Sequence, residues 1–272
     1  MLKLVTCIKQ VPNVSELPWD KKTGTLKRDL ADGMMNSACR NALEASLILK
    51  STVGAEITVI TMGPAMAEEI LREALALGAD RGILINDRKF AGADTLATSY
   101  TLARAIEKEC PNFDLILCGC HTNDSETAQI GPQLTEELNI PGVTYINRIE
   151  ITGRKAVMER LSDDFVETLE MELPGLITVT TQSFPPRYVP LAGLQDAFNE
   201  QNIIIRNAED LDLDEEMTGI KGSPTKIQKV YSPTADKDNI VLKGSARKIV
   251  DDLFKTFEDR IGGAIGEDIK KD

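Results

Sequence analysis

The residues best suited to chemistry lie in Leu115–Leu138, LILCGCHTNDSETAQIGPQLTEEL. An apolar run, Leu115–Leu117, ends at Gly119. The residues from His121 to Thr127 are small and polar, and helix formers follow over Glu126–Leu138 with Ile130, Leu134 and Leu138 in one stripe. Asn123, Asp124, Ser125 and Thr127 can each cap a helix. A loop between a buried parallel strand and a helix N-terminus presents unpaired backbone N–H groups. Together with the helix dipole these attract an anion, most often a phosphate. Pro132 has no N–H, so it must lie in the first helical turn or mark a kink. Gly131 offers a flat ligand close approach to the backbone. An ordinary capped connection is the alternative.

Other chemistries have less to work with. The one histidine is His121, in the same loop, and it suits solvent. The five cysteines are odd in number and follow no framework spacing, so they point to reduced thiols. Cys118 and Cys120 stand two apart with no second cluster to complete a metal site, and fit as small apolar fillers at a strand end. Neither the glycine-spaced dinucleotide fingerprint nor the phosphate-loop lysine motif is present.

The elements that position this loop can be taken from the hydrophobic pattern. A first strand spans Leu2–Ile8, and Lys9-Gln10-Val11-Pro12 leaves it. A hairpin follows over Trp19–Arg28, turning at Thr23-Gly24. Asn36-Ser37 precedes a helix over Ala38–Val53 with a stripe of Ala42, Ala45, Leu49 and Val53, stopped by Gly54. Glu56–Met62 is a second strand, Gly63-Pro64 turns into a helix through Leu77, and Ile83–Ile85 is a short third strand. Asp94 caps a helix to about Glu109. Strand and helix alternate, which favours a parallel sheet covered on both faces. Such sheets bind ligands beyond the strand C-termini near a switch in strand order. The loops after Ile8, Met62 and Leu117 are therefore expected to share one crevice.

After Pro141 the pattern changes. Tyr145–Ile151, Lys155–Leu161 and Phe165–Leu173 alternate as antiparallel strands, with a polar turn at Ser162-Asp163-Asp164, and Leu176–Thr181 is one more apolar strand. Ser183–Asn202 contains three prolines and a glycine and predicts a long shaped loop. Asp210–Glu216 is acidic and fits a solvated face or linker, and Gly219–Asn239 is linker-like. Ser245–Ile261 is an amphipathic helix with Ile249, Val250, Leu253, Phe254, Phe257 and Ile261 on one face.

The formal charge is −12, from 31 basic and 43 acidic residues, which disfavours nucleic acid and anionic membranes. No stretch approaches the roughly 20 apolar residues of a membrane span. The first residues, MLKLVTCIKQVP, carry no signal-peptide pattern, so a cytoplasmic protein is expected.

Several stretches agree with one family. VTCIKQVP, DKKTGTLKRD, NSACRNALEASLILK, MGPAMAEEILREALALGADRGILI, the loop above with GPQLTEELNIP, and PRYVPL (Pro186–Leu191) occur in order and at the spacing of electron transfer flavoprotein beta subunits. The chain resembles that family along almost its whole length.

The resemblance implies an adenine-nucleotide-binding, Rossmann-like α/β domain over 1–231, with a parallel sheet flanked by helices and an antiparallel addition. It also implies a partner-recognition loop at about 183–205 and a C-terminal helical arm over 232–272 that packs on an alpha subunit. Cofactor contacts are implied at Cys7, Asn36, Ser37, Ala38, Cys39, Met62, Gly119, Asn123, Asp124, Ser125, Glu126, Thr127, Ala128, Gln129 and Ile130. In this reading the Asp124–Thr127 amides and the Ser125 and Thr127 hydroxyls hold phosphate, without lysine or arginine from the loop. ETAQIGP (Glu126–Pro132) resembles the electron-bifurcating members, which implies FAD, with AMP the alternative. NADH would be the transient donor, and ferredoxin and a flavin dehydrogenase the acceptors. Leu191 matches the anchor that meets the dehydrogenase, of acyl-CoA type or of 2-hydroxy-acid (lactate) type. No catalytic residue and no metal ligand are implied.

Two stretches depart from the family. SACRN stands where many members have a proline and an aromatic, and LQDAFNEQNIIIR stands where many carry a lysine cluster. A non-redox adenine-nucleotide-binding module is a rival from another class.

Overall fold

The computed structural model describes residues 1–13, 19–20, 25–26, 32–199, 202–226, 240–258 and 260–261. The chain divides into two units, Met1–Gln228 and Lys229–Asp272.

In the first unit, apolar runs and helical stripes alternate as their periods demand. The elements run β1 (Leu2–Cys7), β2 (Gln10–Pro12), β3 (Trp19–Asp20), β4 (Thr25–Leu26), β5 (Gly33–Met35), α1 (Ser37–Val53), β6 (Ala55–Met62), α2 (Glu68–Leu77), β7 (Arg81–Ile85), α3 (Thr95–Glu109), β8 (Leu115–Gly119) and α4 (Ile130–Leu138). They continue as β9 (Gly142–Thr152), β10 (Lys155–Ser162), β11 (Phe165–Glu172), β12 (Gly175–Val179), α5 (Leu191–Asn199) and β13 (Ile203–Arg206). Nine strands form one sheet in the order β11-β10-β9-β12-β8-β1-β6-β7-β13.

β1 is the hinge of the topology. It pairs in parallel with β6 on one side and with β8 on the other. The chain builds outward through β6 and β7, then returns to the far side of β1 with β8, so the order switches beside β1. Leu4 and Ile8 face the cluster built with α1, including Ala42, Leu43 and Leu47, while Val5 and Cys7 face the cluster built with α3, including Leu102 and Ile106. This two-sided burial is why the parallel strands are continuous apolar runs. A buried hydrogen bond between Thr6 Oγ1 and Ser46 Oγ (2.7 Å) fixes α1 on β1.

β9 belongs to two pairings. Gly142–Ile146 run parallel to β12, and Ile146–Thr152 run antiparallel to β10. At the change, Tyr145 has φ +60° and its N–H donates to Thr178 Oγ1 at 2.9 Å. β10 and β11 complete the expected antiparallel addition.

Several expectations need correction. α4 begins at Ile130 rather than Glu126, because Glu126 (φ 51°) and Ala128 (φ 56°) are in the left-handed region and cannot be helical. Pro132 falls in its first turn, as required. Gly131 is buried against the sheet: a Cβ there would lie 2.3 Å from Thr178 Cγ2, so its lack of a side chain serves helix–strand packing, not a ligand. Val53 is 43% exposed and leaves the α1 stripe, as the last residue of the helix. The loop after Ser183 contains α5 from Leu191, once Pro190 has passed, and ends in β13, which pairs with β7 as a new edge. β2 and β5 pair antiparallel, a ladder too short to show a period. The hairpin expected over Trp19–Arg28 is present as β3 paired with β4, and its turn lies outside the described residues.

In the acidic run, Leu211 is buried while Asp210, Asp212, Asp214, Glu215 and Glu216 face solvent, which suits a solvated face. The start of the expected linker is folded: Ser223 Oγ accepts from Asp94 N (2.8 Å) and Thr225 N donates to Asp94 Oδ2 (2.9 Å). Asp94 also caps α3, accepting from Leu96 N and Ala97 N.

In the second unit, α6 (Ala246–Thr256) begins at Ser245, whose hydroxyl accepts from Lys248 N. Its Val250, Leu253 and Phe254 are exposed. No helix among the described residues is long and apolar enough to cross a membrane.

Candidate nucleotide cleft at the strand tips

Asn36 organises the cleft. It is fully buried at the start of α1, yet it makes no side-chain cap to that helix. Its carboxamide instead reaches the loop after β8: Nδ2 donates to His121 O (2.8 Å), and Oδ1 accepts from Asn123 N (2.9 Å). Its own N–H donates to Lys9 O (2.9 Å) at the exit of β1. One residue, through its side chain and its backbone N–H, thus ties two of the three expected loops together. Ser37 Oγ adds a bond to Asn123 Oδ1 (3.0 Å).

Gly119 permits the close contact beneath them. A Cβ there would lie 2.7 Å from Ala38 C and 2.8 Å from Cys39 N, so the α1 N-terminus rests directly on the end of β8. Cys7 pairs with Cys118 across β1 and β8. The Cys39 thiol is raised above its usual range by burial, which outweighs hydrogen bonds from the Asn36 side chain and the Lys9 and Gly119 amides. A hydrogen bond to Cys7 and burial push the Cys118 thiol well up. These thiols stay protonated and pack as small apolar groups. Among the described residues no group of three or more His, Cys, Asp or Glu is placed to hold a metal ion.

The loop itself is shaped by internal bonds. Glu126 N (2.8 Å) and Ser125 N (3.4 Å) donate to Thr122 O, and the Ser125 hydroxyl pairs with Thr122 Oγ1 (2.9 Å). These two amides and that hydroxyl are engaged within the loop. Among the described residues the N–H groups of Thr127 and Ala128 have no hydrogen-bond acceptor. The φ angle changes sign from Ala128 (56°) to Gln129 (−95°), the alternation that turns successive N–H groups into one concavity. The free amides and this concavity therefore lie over Thr127–Gln129 rather than at Ser125 and Glu126. Gln129 Oε1 accepts from Thr95 Oγ1 (2.8 Å), and the Ile130 side chain packs in the α3-side cluster, so both contribute backbone rather than side chain.

Sequence reasoning missed Lys9. Its ammonium pairs with Asp124 at 2.9 and 2.7 Å and brings a positive charge to a loop that has none. Burial opposes the charged form of Asp124, but hydrogen bonds from Lys9 and Thr122 prevail and hold its carboxyl below the usual range. The signal was the lysine directly after the central strand, at the same strand-end level as the loop.

Met62 closes β6 beside Gly63, whose N–H donates to Ile85 O and whose carbonyl accepts from Asn86 Nδ2 (2.7 Å), while the Met62 side chain packs on the α3-side cluster. One residue earlier, the buried Thr61 Oγ1 has no partner among the described residues. Free amides, an orphaned hydroxyl, a cation and a backbone concavity at the strand-order switch fit the phosphate and sugar of an adenine nucleotide. Leu191 stands apart from this cleft, 84% exposed at the start of α5.

Comparisons with known proteins give the family. The model of the electron transfer flavoprotein domain matches residues 23–210. The chain is 40% identical over 259 residues to an electron transfer flavoprotein subunit beta of Thermoanaerobacterium thermosaccharolyticum, covering 95% of this chain and 99% of that one. It is 42% identical to subunit CarD of the caffeyl-CoA reductase–Etf complex of Acetobacterium woodii, over 90% of this chain and 93% of that one. It is 37% identical to the acryloyl-CoA reductase electron transfer subunit gamma of Anaerotignum propionicum, over 93% and 96%. With its strand-tip cleft, its sheet order and these relatives, the chain belongs to the electron transfer flavoprotein family, among its beta subunits.

Proposed function

We propose that this chain holds FAD in the strand-tip cleft and works beside an alpha subunit, relaying electrons from NADH to a flavin dehydrogenase and ferredoxin by bifurcation. The observation that carries the reading is the Asn36 clamp, which fixes the β8–α4 loop with the amides of Thr127 and Ala128 still free for phosphate oxygens. Asn36, Ser37 and Asn123 would set the loop, and Lys9 would offset the negative charge of a diphosphate. Gly119, Ala38 and Cys39 would form the floor, and Cys7 and Met62 would bound the cleft from β1 and β6. The flavin, when bound, supplies hydride acceptance and single-electron release. The protein's part is placement and shielding, so no side chain is assigned as acid, base or nucleophile.

FAD is favoured over AMP by the Glu126–Pro132 string, ETAQIGP, which resembles bifurcating members. An acyl-CoA-type dehydrogenase is favoured over a lactate-type one by the two relatives named for acyl-CoA reductases. Leu191 would meet that dehydrogenase, and the arm over 232–272 would pack on the alpha subunit through the apolar face of α6. A visible spectrum and a flavin count of the purified heterodimer test the reading. Two flavins per heterodimer are expected. One flavin with one AMP would replace FAD by AMP and remove bifurcation.

A further inference from the structure

The segment that leads to Leu191 is held by buried polar groups of α1. Asn41 Nδ2 donates to Ser183 O (2.6 Å), Phe184 O (3.2 Å) and Thr181 O (3.4 Å). One turn later Glu44, only 7% exposed, accepts from Arg187 at Nε (2.9 and 3.1 Å), at Nη2 (2.8 Å) and at the backbone N (3.1 Å). Both guanidinium and main chain are gripped, which fixes direction as well as position. The far end of α5 is held by Arg72 of α2, which donates to Ala197 O and lies 5.5 Å over the Phe198 ring.

What these anchors serve lies between them. Tyr188 is 98% exposed and Leu191 84% exposed, so packing within the chain does not hold either side chain. Pro186 and Pro190 flank the span and restrict its φ angles, so a fixed Arg187 passes its orientation on to Leu191. A buried carboxylate is costly and needs full hydrogen bonding. Among the described residues Glu44 obtains that from Arg187 alone, in the segment that leads to the exposed leucine.

We propose that Glu44 is a positioning residue for transfer to the dehydrogenase: through Arg187 it pre-organises the docking segment, and α1 joins that segment to the cleft at Asn36–Cys39. This rests on the reading that Leu191 meets the dehydrogenase. The test uses the flavin-loaded heterodimer with a butyryl-CoA dehydrogenase or a flavin-dependent lactate dehydrogenase, whichever the unaltered protein serves. Glu44→Gln is expected to raise KM for the dehydrogenase about tenfold, with kcat and flavin content retained. Arg187→Lys, which keeps charge but loses the fork, should act in the same direction. In a Leu191→Ala background, Glu44→Gln should add little. Unchanged KM in both Glu44→Gln and Arg187→Lys, while Leu191→Ala raises it, would overturn this inference and leave the docking reading standing. Additive effects of Glu44→Gln and Leu191→Ala would also overturn it. A Leu191→Ala protein with normal KM would overturn the docking reading itself.

Discussion

Asn123 donates its backbone N–H to Asn36 Oδ1 across 2.9 Å, joining the start of α1 to the loop after β8, 87 positions away in sequence. Removing the Asn36 side chain takes away that acceptor and the donor to His121 O, leaving the loop tied to the start of α1 by the Ser37 hydroxyl among the described residues. Asn36→Ala is expected to cost about 1–2 kcal/mol in unfolding free energy. It should also strip most of the bound nucleotide on gel filtration. Chemical denaturation and nucleotide analysis of the eluted protein check both.

Lys9→Gln separates charge from fold. The Lys9–Asp124 pair is partly exposed, so its loss should move stability by less than about 1 kcal/mol. Nucleotide affinity should fall several-fold, and its dependence on salt should flatten, as measured by titration at two ionic strengths. Asp124 has a lowered carboxyl pKa in the folded chain. The pair's contribution is therefore in place above the ordinary carboxyl value of about 4 and is lost as pH falls through the lowered one.

Gly119→Ala places a methyl group against Ala38 and Cys39 backbone, which cannot rotate aside. A loss of about 1–3 kcal/mol is expected as α1 is pushed from β8. Nucleotide content should drop with it.

The buried thiols should be inert. Burial raises Cys39, and Cys118 is raised by its bond to Cys7 and by burial. Iodoacetamide at pH 8 is expected to leave both unmodified in the native chain, whereas denaturant should expose all five cysteines. Mass mapping of the alkylated peptides reads this directly.

Deleting Lys243–Asp272 removes α6 and its apolar face. The thermal midpoint of the Met1–Gln228 unit should hold, while the association with the alpha subunit should weaken at least tenfold by sedimentation. A truncated chain that assembles with unchanged affinity would place the face elsewhere.

Much of the parallel half was legible in the sequence because a two-sided strand leaves an unmistakable record. Leu115–Leu117 and Ile83–Ile85 are wholly apolar, and Asp94 and Gly54 punctuate their helices where they should. The loops after Ile8 and Leu117 were identified by topology alone and are indeed joined, through Asn36. The cleft's finer form was not legible. Nothing in the letters of Glu126 and Ala128 announces a positive φ, since neither is glycine or asparagine. α5 was hidden by the prolines before it, and β13 became a strand only by pairing with β7, a tertiary choice. Lys9 was overlooked because its partner, Asp124, lies 115 positions away.

β9 is shared between the cleft sheet and the β10–β11 hairpin, and that shared strand gives the hairpin a mechanical role. Ile146 O accepts both from Thr180 N (3.2 Å) and from Ser183 Oγ (3.3 Å), and Ser183 O in turn is held by Asn41. The hairpin is therefore no loose flap but a stiff outrigger. Load applied at its tip by any bound protein would be borne by the same carbonyl that steadies the path toward Arg187 and Leu191.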